Sequence, residues 1–382
     1  MLVTKQQVAI SAGALAVVVA LALAACSTGM FGGSKPGAAT APNVNLYVVV
    51  DTSPSMEIAA TSGGMASLKA ATRNNEGGCA LGCHERHPSE GDFQAAGGDP
   101  ISCTASGTYA DGTSFNAGSK FPVTGRDNDD LSRCLGVALR IDLVRDAVQG
   151  LVKTAADTEK TDNAAYRMAL FETDFNQPDP ADDLKLYTLQ PMTGDLSPGG
   201  AADTSARAIA ALEMYWNNAI VKDDYNFDMD TYLDADIASM NRLMPAPGNG
   251  ANSPGATPRE VLLIVTDGLN DQTPRRTYSP MDWSGANCSA IKKRGVRIAV
   301  LYTTYVPLND DPWYRTQVAP ALPKGLPPGL APSTPVGADP MALAAQQCAS
   351  PGLYEQVNTD GDISAAMQVL FRRSVGAGPA RP

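Results

Sequence analysis

Runs of consecutive apolar residues alternate along the chain with stretches whose apolar positions recur every three to four residues. Asn45–Val50 (NLYVVV) is a continuous β-branched run, the pattern of a strand buried on both faces. Val261–Thr266 (VLLIVT) and Val296–Tyr302 (VRIAVLY) repeat it, and Ala164–Phe171, Leu184–Leu189 and Leu353–Val357 are further strand candidates. Helical spacing is clearest at Val144, Ala147, Val148, Leu151, Val152 and Ala155. It recurs in 201–219, in 232–243, around Ala290–Arg294 and in Ile363–Phe371. Strands alternating with helices predict an α/β fold, a doubly wound and mostly parallel sheet flanked by helices. This domain spans residues 44–375, with a short tail at 376–382. Two inserts interrupt it. One, at about 57–137, is rich in Gly, Asp and Cys and shows no helical pattern. The other, at about 306–340, holds nine of the 28 prolines.

The N-terminus has a different pattern. After Lys5, the 18 residues Val8–Ala25 carry no charge, a length on the boundary between a signal h-region and a spanning helix. The run ends in Leu23-Ala24-Ala25-Cys26, which resembles a bacterial lipobox. Three readings stay open for residues 1–26: a lipoprotein signal acylated at Cys26, an uncut anchor helix, or an ordinary signal peptide. All three place the rest of the chain outside the cytoplasm, in a bacterial cell envelope and, in the first two, attached to the membrane. Residues 27–43, rich in Gly, Ser, Pro and Ala, read as a flexible linker.

Cysteine usage fits export. Beyond Cys26 there are six, Cys79, Cys83, Cys103, Cys134, Cys288 and Cys348, an even number suited to disulfides. The economical division is two bridges within the first four and one joining Cys288 to Cys348, with the pairing inside the first group open. Cys79-Ala-Leu-Gly-Cys83-His84 has three residues between its cysteines where a haem-attachment motif has two, so a disulfide-stapled insert is expected and no haem. The chain carries 29 basic and 40 acidic residues in 382, a net charge of −11, which argues against nucleic acid as a partner. With only His84 and His87, a poly-His metal centre is excluded.

Candidate chemistry lies at the strand ends, where open parallel sheets bind ligands. The first strand runs into Asp51-Thr52-Ser53-Pro54-Ser55, a D-x-S-x-S arrangement, and VLLIV runs into Thr266-Asp267-Gly268. Two acids and two hydroxyls thus emerge at one sheet edge. An oxygen-only donor set suits a hard divalent cation, Mg²⁺ first, with Mn²⁺ or Ca²⁺ as substitutes. Neutral hydroxyls leave such an ion undercharged and able to accept an outside carboxylate. The bland alternative is that Asp51 and Ser53 cap a helix. Asp224-Tyr-Asn226-Phe-Asp228-Met-Asp230 alternates like a calcium loop but lacks its Gly and Glu, and reads as a solvated acidic loop.

The paired strand ends resemble the von Willebrand factor A (vWA) domain with its metal-ion-dependent adhesion site. The resemblance implies that Ser53 and Ser55 bind metal directly and that Asp51 and Asp267 do so directly or through water. It also implies a threonine ahead of a helix. Thr231, 36 residues before Asp267, is favoured over Thr204, which lies 63 before it. A narrower likeness covers GCALGCH (78–84), LRIDLVRDAVQGLV (139–152), MPAPGNG (244–250), VLLIVTDG, IKKRGVRIAVLYTTYVPL (291–308) and QCASPGLYEQV (347–357). These segments resemble the TadG-like vWA proteins of Tad/Flp pilus loci, which start with a plain anchor helix instead of a lipobox-like end. The likeness implies a non-enzymatic binding or assembly module, contacting a carboxylate-bearing protein, pilus or envelope component through the metal. The alternative class is a metal-dependent envelope hydrolase, which needs a general base beside a metal-bound water. No nucleophile elbow or phosphate-cradling Gly loop is present.

Overall fold

Every residue of Val44–Val50 (β1) is buried, because β1 is an inner strand covered on both faces. The computed structural model describes residues 42–71, 101–109, 112–122, 128–173, 186–209, 231–251, 253, 255–272, 277–309, 314–330 and 339–376. Within them β1 joins β2 (Tyr166–Thr173), β3 (Leu186–Thr193), β4 (Arg259–Thr266), β5 (Arg297–Thr303) and β6 (Tyr354–Val357). The six strands lie in the order β6-β5-β4-β1-β2-β3. All neighbours are parallel except β3, which runs antiparallel to β2 at one edge. This is the doubly wound, mostly parallel sheet that the alternating pattern predicts.

Eight α-helices are described: α1 (Ser62–Ala71), α2 (Asn128–Leu135), α3 (Arg140–Asp162), α4 (Ala201–Arg207), α5 (Leu233–Leu243), α6 (Ala286–Lys293), α7 (Pro340–Cys348) and α8 (Ile363–Val375). Alternate β1 side chains enter two separate cores, as the two-residue period of a strand requires. Leu46, Val48 and Val50 pack with α3, α4 and α8, whereas Tyr47 and Val49 pack with α5, α6 and α7. The longest helix, α3, buries Val144, Ala147, Val148, Leu151, Val152 and Ala155 along one stripe. It stops where Asn163 takes a left-handed conformation at φ 48°, one that Asn tolerates better than most residues.

Three departures from the sequence expectation have local causes. The first insert holds two helices, α1 and α2, although its sequence shows no helical pattern and SGGMASLKAA has little apolar contrast. Its Gly64 is needed for packing, since a Cβ there would lie 2.8 Å from Val137 Cγ1. The second departure, α7, starts directly after the Pro-rich insert, with Pro340 in its first turn and Asp339 capping Met341 N. The third is an antiparallel hairpin, Leu269–Gln272 with Thr277–Pro280, immediately after the T-D-G end of β4. Disulfides join Cys103 to Cys134 across the insert and Cys288 to Cys348 between α6 and α7. Cys26, Cys79, Cys83, His84, His87, the acidic run 224–230 and residues 210–219 lie outside the described residues. Among the described residues no helix is long and apolar enough to cross a membrane, and the apolar run 8–25 is not among them.

One buried polar cluster crosses the sheet at its opposite end. Asn45 Nδ2 donates to Glu260 Oε1 at 3.0 Å, while Glu260 Oε2 and Asn45 Oδ1 are buried without hydrogen-bond partners. Burial raises the Glu260 pKa, against the opposing effect of hydrogen bonds from Asn45 and Tyr47. A carboxyl raised in the folded state stabilises the fold below its unfolded pKa and withdraws that support as pH climbs through the folded value. Glu260→Gln should therefore match the parent in thermal melts near pH 4 and exceed it at pH 8. A gap that does not change with pH would rule out Glu260 as its source.

Candidate metal centre

The parallel register brings two strand ends side by side. Val50 pairs with Val265 across β1 and β4, so Asp51 emerges next to Thr266, with Asp267 one residue on. Asp51 N continues the ladder to Val265 O at 2.8 Å. The Asp51 carboxylate is fully buried and held at both oxygens. Oδ1 accepts from Ser53 N at 3.0 Å and Oδ2 from Thr266 Oγ1 at 2.6 Å. Thr266 Oγ1 in turn accepts from Gly268 N at 2.8 Å, so one hydroxyl couples the D-x-S-x-S turn to the T-D-G turn. Thr52 ties the same turn to the end of β2, with Thr52 N donating to Thr173 Oγ1 and Thr52 Oγ1 to Thr173 O, both at 3.0 Å.

Ser53 precedes a single 3-10 turn, Pro54–Glu57, and makes no side-chain cap hydrogen bond. The capping alternative therefore leaves the Ser53 hydroxyl unexplained. That hydroxyl lies 3.0 Å from the Ser55 hydroxyl, and Ser55 alone among Asp51, Ser53, Ser55, Thr231 and Asp267 is partly open to solvent. Asp267 is fully buried. Its Oδ1 accepts from Leu269 N at 3.3 Å, and its Oδ2 has no hydrogen-bond partner among the described residues. Burial raises the Asp267 pKa to about 7, reinforced by the neighbouring Asp51 charge and opposed by Arg140 and Ser55. Asp51 is raised too, chiefly by burial.

Gly268 must be glycine. Its φ is +81°, and a Cβ would lie 3.1 Å from Met341 Cβ and 3.2 Å from Tyr302 Cε2. The turn follows Asp267 and leads directly into the 269–280 hairpin. Thr231 is buried just ahead of α5 and is fastened to that hairpin by backbone bonds both ways, Thr231 N to Asp271 O at 2.8 Å and Asp271 N to Thr231 O at 3.1 Å. Asn270 Nδ2, donating to Asp234 Oδ1 at 2.9 Å, holds the first turn of α5 to the same hairpin. The contacts described above join Asp51, Ser53, Ser55 and Asp267. Thr231 reaches them through the hairpin backbone. Thr204 is exposed on α4, and its hydroxyl bonds Gly199 O at 3.3 Å.

The donor set fits a hard divalent cation. It offers two buried carboxylates, one oxygen of which has no hydrogen-bond partner, and two adjacent hydroxyls. Among the described residues no group of three or more His, Cys, Asp and Glu could hold a metal, so hydroxyls would have to complete any site here. One participant was not named from the sequence. Arg140, in the first turn of α3, sits buried with Nη1 3.7 Å from Asp267 Oδ2 and Nη2 donating to Thr304 O at 2.8 Å. The signal was present, because Arg140 falls four residues before Val144, on the buried stripe of its helix. A cation on an apolar stripe is a cue for a buried acidic partner.

No protein-family profile matches the chain, and no curated protein matches it. Solved structures do. The von Willebrand factor domain of the type V pili tip protein Mfa5 from Porphyromonas gingivalis is 9% identical with a TM-score of 0.40, covering 88% of this chain and 96% of that one. The pilus adhesin SpaC from Lactobacillus rhamnosus GG is 12% identical with a TM-score of 0.38, over 87% of this chain and 30% of that one. Proximal thread matrix protein 1 from the mussel byssus, with a zinc-occupied MIDAS motif, is 8% identical with a TM-score of 0.35, over 88% of this chain and 48% of that one. At these scores the fold assignment rests on the chain's own strand order and on the acidic ends of β1 and β4.

Proposed function

We propose that this chain is a non-enzymatic adhesion or assembly module of the bacterial cell envelope. In this reading Asp51, Ser53, Ser55, Thr231 and Asp267 hold a divalent cation, Mg²⁺ first, and the cation accepts a carboxylate from a protein partner. The observation that carries the reading is the oxygen cluster itself: two buried carboxylates and paired hydroxyls that meet solvent at Ser55. When bound, the cation would supply a Lewis-acidic position for an external oxygen. The chain's own residues align the donors and exclude water. Asp51 fixes the Ser53 backbone, and Thr266, accepting from Gly268 N, locks the two turns together.

The N-terminal apolar run and Cys26 support membrane attachment, by acylation or by an uncut helix. The TadG-like segments support a place in Tad/Flp-type pilus assembly. No carboxylate of the cluster is solvent-exposed, which supports contact over hydrolysis, since hydrolysis needs a base in reach of water. Beads carrying the chain should hold polyglutamate-coated surfaces in Mg²⁺ and release them in EDTA. Retention unaffected by EDTA would refute the cation-bridged contact, and turnover of an ester or phosphoester substrate in Mg²⁺ would refute the non-enzymatic reading.

A further inference from the structure

Arg140 stands where a cation-binding site has least use for it. Its side chain is 6% exposed and that of Asp267 1%, so their 3.7 Å ion pair is shielded from water. The guanidinium is tethered on its other side by Thr304 O, just past β5, and the Arg140 backbone N–H donates to Ile58 O at 2.8 Å. The side chain is thus held from two separate parts of the fold, and its backbone from a third. The Asp51 and Asp267 carboxylates would otherwise lie buried together with two uncompensated negative charges, an arrangement that proteins avoid. Arginine stays ionised where other side chains would lose their charge. The pair geometry is looser than a bidentate fork, and Asp267 Oδ2 retains no hydrogen bond, so that oxygen stays open to another positive ligand.

We propose that Arg140 is a resident counter-cation of this site, a positioning residue that holds the two carboxylates in place without metal and weakens the affinity for divalent cations. The inference rests on the metal-site reading above. Without metal, one guanidinium offsets part of the double negative charge, and the two turns stay assembled. With metal, the ion and the guanidinium share Asp267, and their mutual repulsion across a few ångströms of partly shielded protein costs binding energy. The loaded site then carries one positive charge beyond the two carboxylates. That excess favours an incoming carboxylate over a neutral oxygen ligand. Without Arg140 the loaded site would be neutral and less able to recruit a carboxylate.

The test uses the full chain and its Arg140→Gln and Arg140→Lys variants. Mn²⁺ is titrated by calorimetry, and thermal midpoints are taken in EDTA. Arg140→Gln should melt lower in EDTA and bind Mn²⁺ about tenfold more tightly, while Arg140→Lys, which keeps the charge, should stay within about threefold of the parent. Acetate should bind the Mn²⁺-saturated parent more tightly than Mn²⁺-saturated Arg140→Gln. Equal Mn²⁺ affinity in the parent and Arg140→Gln would overturn the role of Arg140 and leave the metal site standing. Absence of Mn²⁺ binding in both would overturn the metal site and this inference with it. Should Arg140→Gln not fold, Arg140→Lys decides: a tenfold gain there, with the charge retained, overturns the proposal.

Discussion

Mg²⁺ or Mn²⁺ should raise the thermal midpoint of the full chain, and Asp51→Asn should abolish the rise. A ligand that binds the folded state alone stabilises it by mass action, about 2.7 kcal/mol at a hundredfold excess over the dissociation constant. Asparagine tests the charge better than alanine does. Asp51 Oδ1 accepts from Ser53 N, a bond that the Asn carbonyl can keep, and Oδ2 meets Thr266 Oγ1, a hydroxyl able to accept from the Asn amide instead. Asp51→Ala would strip both bonds and confuse loss of metal with loss of the turn. Asp51→Asn also removes one of two like charges from a buried pair, so its midpoint in EDTA should equal or exceed that of the parent. The decisive comparison is the cation-induced shift, present in the parent and absent in the variant. A parent chain that shows no shift and no calorimetric heat with either cation would remove the metal from the site.

How far the sequence carried this picture depends on what each element owes to its own residues. The buried strands β1, β4 and β5 were legible because a central parallel strand needs apolar side chains on both faces, and that demand is written as an uninterrupted run. The long helix α3 showed its stripe for the same kind of reason. By contrast α1 draws its stability from insert contacts and from Gly64 packing on Val137, neither of which leaves a periodic trace. The 269–280 hairpin was hidden because its strands are four residues each and include polar positions such as Asn270, whose role is to bond Asp234. At the site, the donor types could be read off D-x-S-x-S and T-D-G, but the lock between them could not. Thr266 holding Asp51 depends on the cross-strand register, and Arg140 reaches Asp267 from 127 residues earlier in the chain.

Removing the Cys288–Cys348 bridge should be the most destabilising change away from the metal centre. The cross-link spans 60 residues, including β5 and the Pro-rich insert. In the chain-entropy account, closing a loop of that length takes about 4 kcal/mol of freedom from the unfolded state. The local setting adds to it. Cys288 lies in α6 and Cys348 ends α7, both buried, and Lys292 Nζ of α6 donates to Gln347 O at 2.7 Å and Ala349 O at 3.2 Å. The bridge and this cap fix α7 against the sheet, where Met341 packs on the Gly268 turn. A Cys288→Ala/Cys348→Ala chain should therefore melt roughly 8 °C below the parent. The same double variant should speed exchange of the Gly268 amide, whose bond to Thr266 Oγ1 depends on that turn. Non-reducing peptide maps of the parent should show the 288–348 cross-link intact. A variant melting within about 2 °C of the parent would mean that helix packing, not the cross-link, holds α7 in place.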